Sequence, residues 1–301
     1  MRILCAIDGS DAGHVALEAM GTLYGPYVDE VILLHVVDTS SFRGARTAGL
    51  TVQRRMAKAR SALDRSGQEV LRRATGALVA ALHQSGSAPK ATITALLMHG
   101  RAAGVITAQA ERRRVDLIVL GSRRVTDDRG FLLGSVARKV LAGDTRSVLV
   151  VKRPLSSRPQ VLLATDGSPR ANSAACFLRR WALPDNAHLT ALSVVPPVLD
   201  ELAATVLPLA KLAHLAKPVA ERTKRLVAQT RESFLGQGAA VSGEVLEGRP
   251  GPVILHYLEK ARVDLVVMGS RGLTGEERFV LGSVAEDVVQ HADCSALIVK
   301  S

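Results

Sequence analysis

The chain alternates short, unbroken apolar runs with longer stretches in which apolar positions recur every three or four residues. Runs such as RILCAI at 2–7, DLIVLG at 116–121 and DLVVMG at 264–269 are bounded by polar or glycine residues. This is the pattern of a parallel strand buried on both faces. It predicts strands near 2–7, 30–37, 91–97, 116–121 and 147–152, with helices near 12–22, 51–84, 101–113 and 134–142. A second series follows: strands near 160–165, 188–195, 240–246, 264–269 and 295–300, and helices near 170–182, 210–234, 250–261 and 282–291. Parallel strands need crossover helices of one hand, so each series folds as a doubly wound α/β sheet.

The two series are copies of each other. CAIDGS at 5–10 returns as LATDGS at 163–168, RVDLIVLGS at 114–122 as RVDLVVMGS at 262–270, and FLLGSVARKV at 131–140 as FVLGSVAEDV at 279–288. A repeat of this length marks a duplicated domain. The domains are expected at 1–152 and 160–301, separated by KRPLSSRPQ at 152–160, whose prolines and serines break the pattern. The first copy carries extra residues around 39–52, which read as a loop. The matching stretch of the second copy, 196–218, is rich in Ala and Leu but holds Pro196, Pro197, Pro208 and Pro218, and reads as broken helical segments forming a flap.

Composition narrows the function classes. Aromatic residues make up 3% of the chain, which disfavours stacking platforms for single-stranded nucleic acid. No apolar run approaches the roughly 20 residues of a membrane-spanning helix, so the expected location is the cytoplasm, without membrane insertion. Cys5, Cys176 and Cys294 sit in or beside apolar segments without metal-ligand spacing, and are expected to be buried packing thiols with no metal site. The net charge of +11 is uneven: residues 1–153 hold 23 Lys and Arg against 13 Asp and Glu, residues 154–301 hold 16 against 15. Nine of the basic residues fall between Arg43 and Arg73. Such a strip attracts nucleic acid, acidic lipid or acidic protein, or is simply a solvated helix face. No base-reading motif accompanies it, so nucleic acid is not the expected partner.

Ligands of an open parallel sheet bind at the carboxyl ends of the strands, where the strand order reverses. In the second copy these ends carry Asp166, the EGRP segment at 247–250 and the long loop GSRGLTGEERFVLGS at 269–283. Gly269, Gly272 and Gly275 permit close backbone turns, and Gly282 with Ser283 opens a helix whose free N–H groups and dipole suit phosphate. The same residues can instead merely end a strand and cap a helix. Asp166 can accept from an adenine amino group or a ribose hydroxyl, or can cap the following helix within its own Asp-Gly-Ser turn. Arg249 can approach phosphate or face solvent. The loop is neither a Walker loop nor a dinucleotide fingerprint, since no Gly-Lys-Ser/Thr follows it and it succeeds the fourth strand rather than the first. Any Mg²⁺ is expected to arrive with the phosphates rather than on a protein cluster.

Gly269, Gly272, Gly282 and Ser283, spaced as glycine, two residues, glycine, nine residues, glycine, serine, resemble the phosphate-binding pattern of the universal stress protein family. The resemblance extends to VLLATDGS, EGRP, VDLVVMGSRG and ADCSALIVK, and it covers both copies. It implies two tandem Rossmann-like domains, each with a five-stranded parallel sheet, and ATP or another adenine nucleotide as ligand. It places Asp166 near the adenosine, the backbone around Val195 against the base, Gly269 and Gly272 along the triphosphate, and Gly282, Ser283 and Val284 at its outer phosphates. It also implies pairing through the last strands, the two copies being a covalent version of that dimer, and further homo-oligomers of whole chains.

The first copy retains Asp8, Gly121, Gly134 and Ser135 but has Arg124 where the second glycine belongs, so it is expected to be a degenerate site. Catalysis has little support: His99 in the first copy is replaced by Glu247 in the second, and His99, His214 and His291 read as surface or capping histidines. At most, Glu276 or Glu277 would position water for slow hydrolysis. The expected function is a regulatory protein whose loops order on nucleotide and which then engages a protein partner. The alternative is a nucleotide-independent interaction scaffold using the basic strip 43–73.

Overall fold

The computed structural model describes residues 1–39, 50–84, 91–122, 126–127, 130–131, 133–144, 146–181, 183–197, 209–273 and 281–300. The chain divides into two compact units, Met1–Arg124 with Leu133–Pro154, and Val125–Leu132 with Leu155–Ser301.

The first unit contains β1 (Arg2–Ile7), α1 (Asp11–Tyr24), β2 (Glu30–Val37), α2 (Leu50–Gln84), β3 (Thr92–His99), α3 (Ala102–Arg112), β4 (Leu117–Gly121), α4 (Ser135–Gly143) and β7 (Ser147–Val151). A short antiparallel pair, β5 (Thr126–Asp127) with β6 (Gly130–Phe131), lies in the loop after β4 and was not expected from the sequence pattern. The five longer strands are parallel in the order β3-β2-β1-β4-β7. The second unit repeats this with β8 (Gln160–Ala164), α5 (Pro169–Arg180), β9 (His188–Val195), α6 (Leu209–Glu232), β10 (Ala240–Glu247), α7 (Pro250–Lys260), β11 (Leu265–Gly269), α8 (Ser283–His291) and β12 (Ser295–Val299). Its order is β10-β9-β8-β11-β12, again all parallel.

The hydrophobic pattern sets how deeply each strand is buried. β7, β11 and β12 are buried along their whole length, whereas β3 and β10, at the outer edge of their sheets, carry Thr92, Thr94, Ser242 and Glu244 and are half-exposed. In both units the chain runs outward through three strands and then returns beside the first. The switch points therefore lie between the carboxyl ends of β1 and β4, and of β8 and β11.

Two devices in the repeated RVD motif position these strands. Arg114 and Arg262 adopt left-handed backbone angles, φ +50° and +49°. Each ends a helix in a Schellman arrangement: Val115 N–H donates to Ala110 O at 3.1 Å, and Val263 N–H to Leu258 O at 3.0 Å. The aspartate two residues on is a strand clamp. Asp116 Oδ2 accepts from Arg2 N–H at 2.7 Å, and Asp264 Oδ2 accepts from Gln160 N–H at 2.9 Å and Ser156 Oγ–H at 2.7 Å. Both carboxylates sit at the amino ends of the strands, away from the switch points.

Three expectations are corrected. Pro218 does not break its segment but lies on the exposed side of α6; the helix loses one backbone bond there and is held farther along by Val227, buried against Gly243 of β10. The flap expected at 196–218 otherwise falls largely on residues 198–208, outside the described residues. Cys5 and Cys294 are buried, and burial pushes the Cys5 thiol up to about 12. Cys176, however, is exposed, because the buried face of α5 is set by Ala171, Ala174 and Leu178. Finally, His99 caps nothing: its Nε2 lies 2.6 Å from Asp64 Oδ1 on α2.

Candidate functional site

At the switch point of the second unit, the chain leaves β8 through Asp166-Gly167-Ser168. Gly167 supplies the left-handed angle of this turn, φ +77°. Ser168, fully buried, caps α5: its Oγ accepts from Ala171 N–H at 3.2 Å, ahead of Pro169 in the first helical position. The carboxylate of Asp166 faces two ways. Its Oδ1 accepts from Ser168 N–H at 2.9 Å, and its Oδ2 accepts from Leu273 N–H, also at 2.9 Å. One aspartate thus joins the turn after β8 to the loop after β11.

Each described glycine of that loop has a geometric reason. A Cβ on Gly269 would stand 2.6 to 2.8 Å from the backbone of Arg170 and Ala171, since the first turn of α5 lies on the end of β11. A Cβ on Gly272 would stand 2.5 Å from Asp166 Oδ2 and displace the carboxylate from Leu273. Gly282 N–H donates to Ser270 O at 2.7 Å, closing the long loop at its neck, and a Cβ there would meet Arg271 Cα at 3.3 Å. The neck returns the chain to the strand end just where α8 begins. Gly282 is the N-cap of α8, without a side-chain cap; Ser283, exposed, is already in the first turn, so the serine does not cap this helix. The backbone start of α8 therefore offers the N–H groups of Ser283 and Val284 as dipole-aligned donors without a side-chain acceptor, that of Gly282 being taken by Ser270 O.

Val195 ends β9 and is buried; its carbonyl accepts from Gly248 N–H at 3.0 Å. Arg249 is the exposed N-cap residue of α7. Gly275, Glu276 and Glu277 lie outside the described residues, and so does Arg124. Sequence reasoning did not single out Leu273 or Ser270, which act through their backbones; the signature of Ser168 as a cap, serine followed by proline, was present.

The first unit shares the frame; Val125, which answers to Leu273, lies outside the described residues. A Cβ on Gly121 would stand 2.3 Å from Ala12 O, so α1 lies on β4 as α5 lies on β11. Asp8 Oδ1 accepts from both the N–H and the Oγ–H of Ser10, within its own turn. Ser10 accordingly makes no side-chain cap to α1, and α4 begins at Gly134 and Ser135 without one. Among the described residues no hydrogen bond joins Gly134 to Ser122, and the buried Ser122 Oγ has no partner. Among the described residues of the chain, no group of three or more His, Cys, Asp or Glu is arranged to hold a metal ion, and no helix is long and apolar enough to cross a membrane.

Comparison with known proteins accords with this architecture. The model of the Universal stress protein family matches twice, at residues 1–152 and 158–300. A universal stress protein of Methanocaldococcus jannaschii is 34% identical over 143 residues, covering 47% of this chain and 81% of its own. One from Thermus aquaticus is 33% identical over 146 residues, covering 46% and 97%. A crystal structure of a universal stress protein from Archaeoglobus fulgidus aligns over 99% of this chain and 98% of its own, with a TM-score of 0.67 at 22% identity, a likeness of fold. The chain belongs to the Universal stress protein family, with two family domains in tandem.

Proposed function

We propose that the second unit binds ATP, or another adenine nucleotide, in the crevice between the carboxyl ends of β8 and β11, and that the protein is a regulatory binding protein rather than an enzyme. The observation that carries this reading is the closed neck. Gly282 N–H on Ser270 O brings the uncapped start of α8 back beside Gly272, which the Asp166 carboxylate holds through Leu273. A triphosphate laid along Gly272 and ending at Gly282, Ser283 and Val284 would meet backbone donors at a helix N-terminus. The adenosine end would lie toward Asp166 and Val195. The donor set fits an anion and offers no carboxylate cluster to a metal, so any Mg²⁺ would enter on the phosphates. Nucleotide would order the loop between the neck residues and change the surface offered to a protein partner.

In this reading the first unit is the degenerate copy, since Arg124 stands where the second glycine belongs while Asp8, Gly121, Gly134 and Ser135 are retained. Association of whole chains goes with the reading, as the family resemblance implies, and a cytoplasmic location goes with the lack of a long apolar run.

The test is calorimetric titration of nucleotide-stripped protein with ATP in Mg²⁺. One site per chain is expected, weakened about tenfold or more, equivalent to about 1.4 kcal/mol, by Gly272→Ala and unaffected by Asp8→Ala. Two equal sites would remove the distinction between the copies, and no heat with any adenine nucleotide would remove the reading itself.

A further inference from the structure

The 35 residues of α2 divide into two halves of different character. From Gly67 onward one side is buried through Leu71, Ala74, Leu78, Ala81 and Leu82. Over 51–66 no residue is buried, and only Met56 and Asp64 are even half-covered. That exposed half holds Arg54, Arg55, Lys58, Arg60 and Arg65 and a single carboxylate, Asp64, which is engaged by His99. Among the described residues none of the five cations has an acidic partner. Farther along, Arg72 and Arg73 are both taken up by Glu69, with N–O distances of 2.7 Å, and the two guanidinium groups hold the Glu69 carboxyl down at about 2.

Four of the five unpaired cations are arranged on one side, Arg60 falling outside it. At 3.6 residues per turn, Arg54, Lys58 and Arg65 fall within a sector of about 40°, and Arg55 widens it to about 100°. The row spans about 16 Å of helix axis at about 1.5 Å per residue. The apolar residues Val52, Met56 and Leu63 lie on the opposite side and are partly covered, Val52 and Leu63 remaining 44% and 40% exposed. Over 51–66 the cationic sector holds besides these only the small Thr51 and Ala62, so it carries no large apolar residue to insert into a lipid layer. No Phe, Tyr or Trp occurs between 50 and 84, so nothing on it can stack on a base. These features fit the densest linear polyanion, a duplex with about one charge per 1.7 Å. The sequence reading set nucleic acid aside for want of a base-reading motif, but contacts to phosphate need none.

We infer that the exposed half of α2 is a sequence-independent docking surface for the phosphate backbone of duplex nucleic acid, held by Arg54, Arg55, Lys58 and Arg65.

The experiment is fluorescence anisotropy of a labelled mixed-sequence DNA duplex of about 20 base pairs, titrated with the full chain at several salt concentrations. Four phosphate contacts give a log–log salt slope of about −3.6, a loss of about 150-fold in affinity from about 50 to 200 mM. The combined variant Arg54→Gln, Arg55→Gln, Lys58→Gln, Arg65→Gln should abolish binding at low salt while keeping the circular dichroism and thermal midpoint of the parent. Restoring charge with lysine at all four positions should restore binding, and Arg72→Gln with Arg73→Gln should change it by less than about threefold. Absence of binding at about 50 mM salt, or binding that survives the fourfold variant, overturns the inference. So does tighter binding to phosphatidylserine-containing vesicles than to the duplex at equal salt, which would assign the face to a membrane surface.

Discussion

The two units place the same motif, Asp-Gly-Ser, at the same switch point and use it differently. In the second, Asp166 spends one oxygen on its own turn and the other on Leu273, while Ser168 is left to cap α5. In the first, Asp8 takes both groups of Ser10 and α1 goes without a side-chain cap. A Cβ on residue 272 would stand 2.5 Å from Asp166 Oδ2, so the reach to Leu273 N–H needs the glycine; the first copy has Arg124 at the matching position, outside the described residues.

This contrast can be tested first where the units agree. Gly121→Ala and Gly269→Ala each push a methyl group into the backbone of the first helical turn of the same unit, α1 and α5 respectively. Both should destabilise by about 2–3 kcal/mol in urea unfolding. A neutral Gly269→Ala would show that the glycine serves a ligand rather than the packing of α5.

A smaller effect should separate the units. Asp166→Ala removes the acceptor of Leu273 N–H and should cost about 1 kcal/mol, with faster hydrogen exchange at Leu273 and weaker ATP binding. Asp8→Ala should leave Leu273 exchange unchanged. Equal exchange at Leu273 in both variants would mean that the Asp166 carboxylate does not hold the loop.

The smallest effect should again be common to both. Arg114→Gly and Arg262→Gly relieve a left-handed arginine at a helix end, and each should stabilise by about 0.5–1 kcal/mol. A loss of stability in either would mean that the arginine side chain contributes more than its backbone angle costs.

The sheet was legible because its signal is written in side chains: LVVMG and SALIV are apolar throughout since both faces are covered. The site glycines were legible as residues but not in their reasons. The spacing singled out Gly269 as a phosphate contact, yet its closest neighbours are the backbone atoms of α5, which lie about 100 residues earlier in the chain. The RVD motif was legible as a repeat, but an arginine announces no positive φ, and only tertiary pairing reveals Asp264 as a clamp on β8. Of the two roles the sequence offers Ser283, phosphate donor or helix cap, the cap position falls to Gly282, which is tied to Ser270, and Ser283 is the first residue of the helix. The unequal exposure of α2 could not be read from its sequence either, since its apolar stripe runs on from Val70 through Leu63 to Val52 without a break.

The neck between Ser270 and Gly282 has an evolutionary consequence. A loop whose ends are pinned together can change length cheaply, at about 0.6 kcal/mol for each doubling, because the closure is already made and the strands beneath do not feel it. The fold is thereby insulated from selection on recognition, and a duplicated chain can let one loop drift while the other is kept.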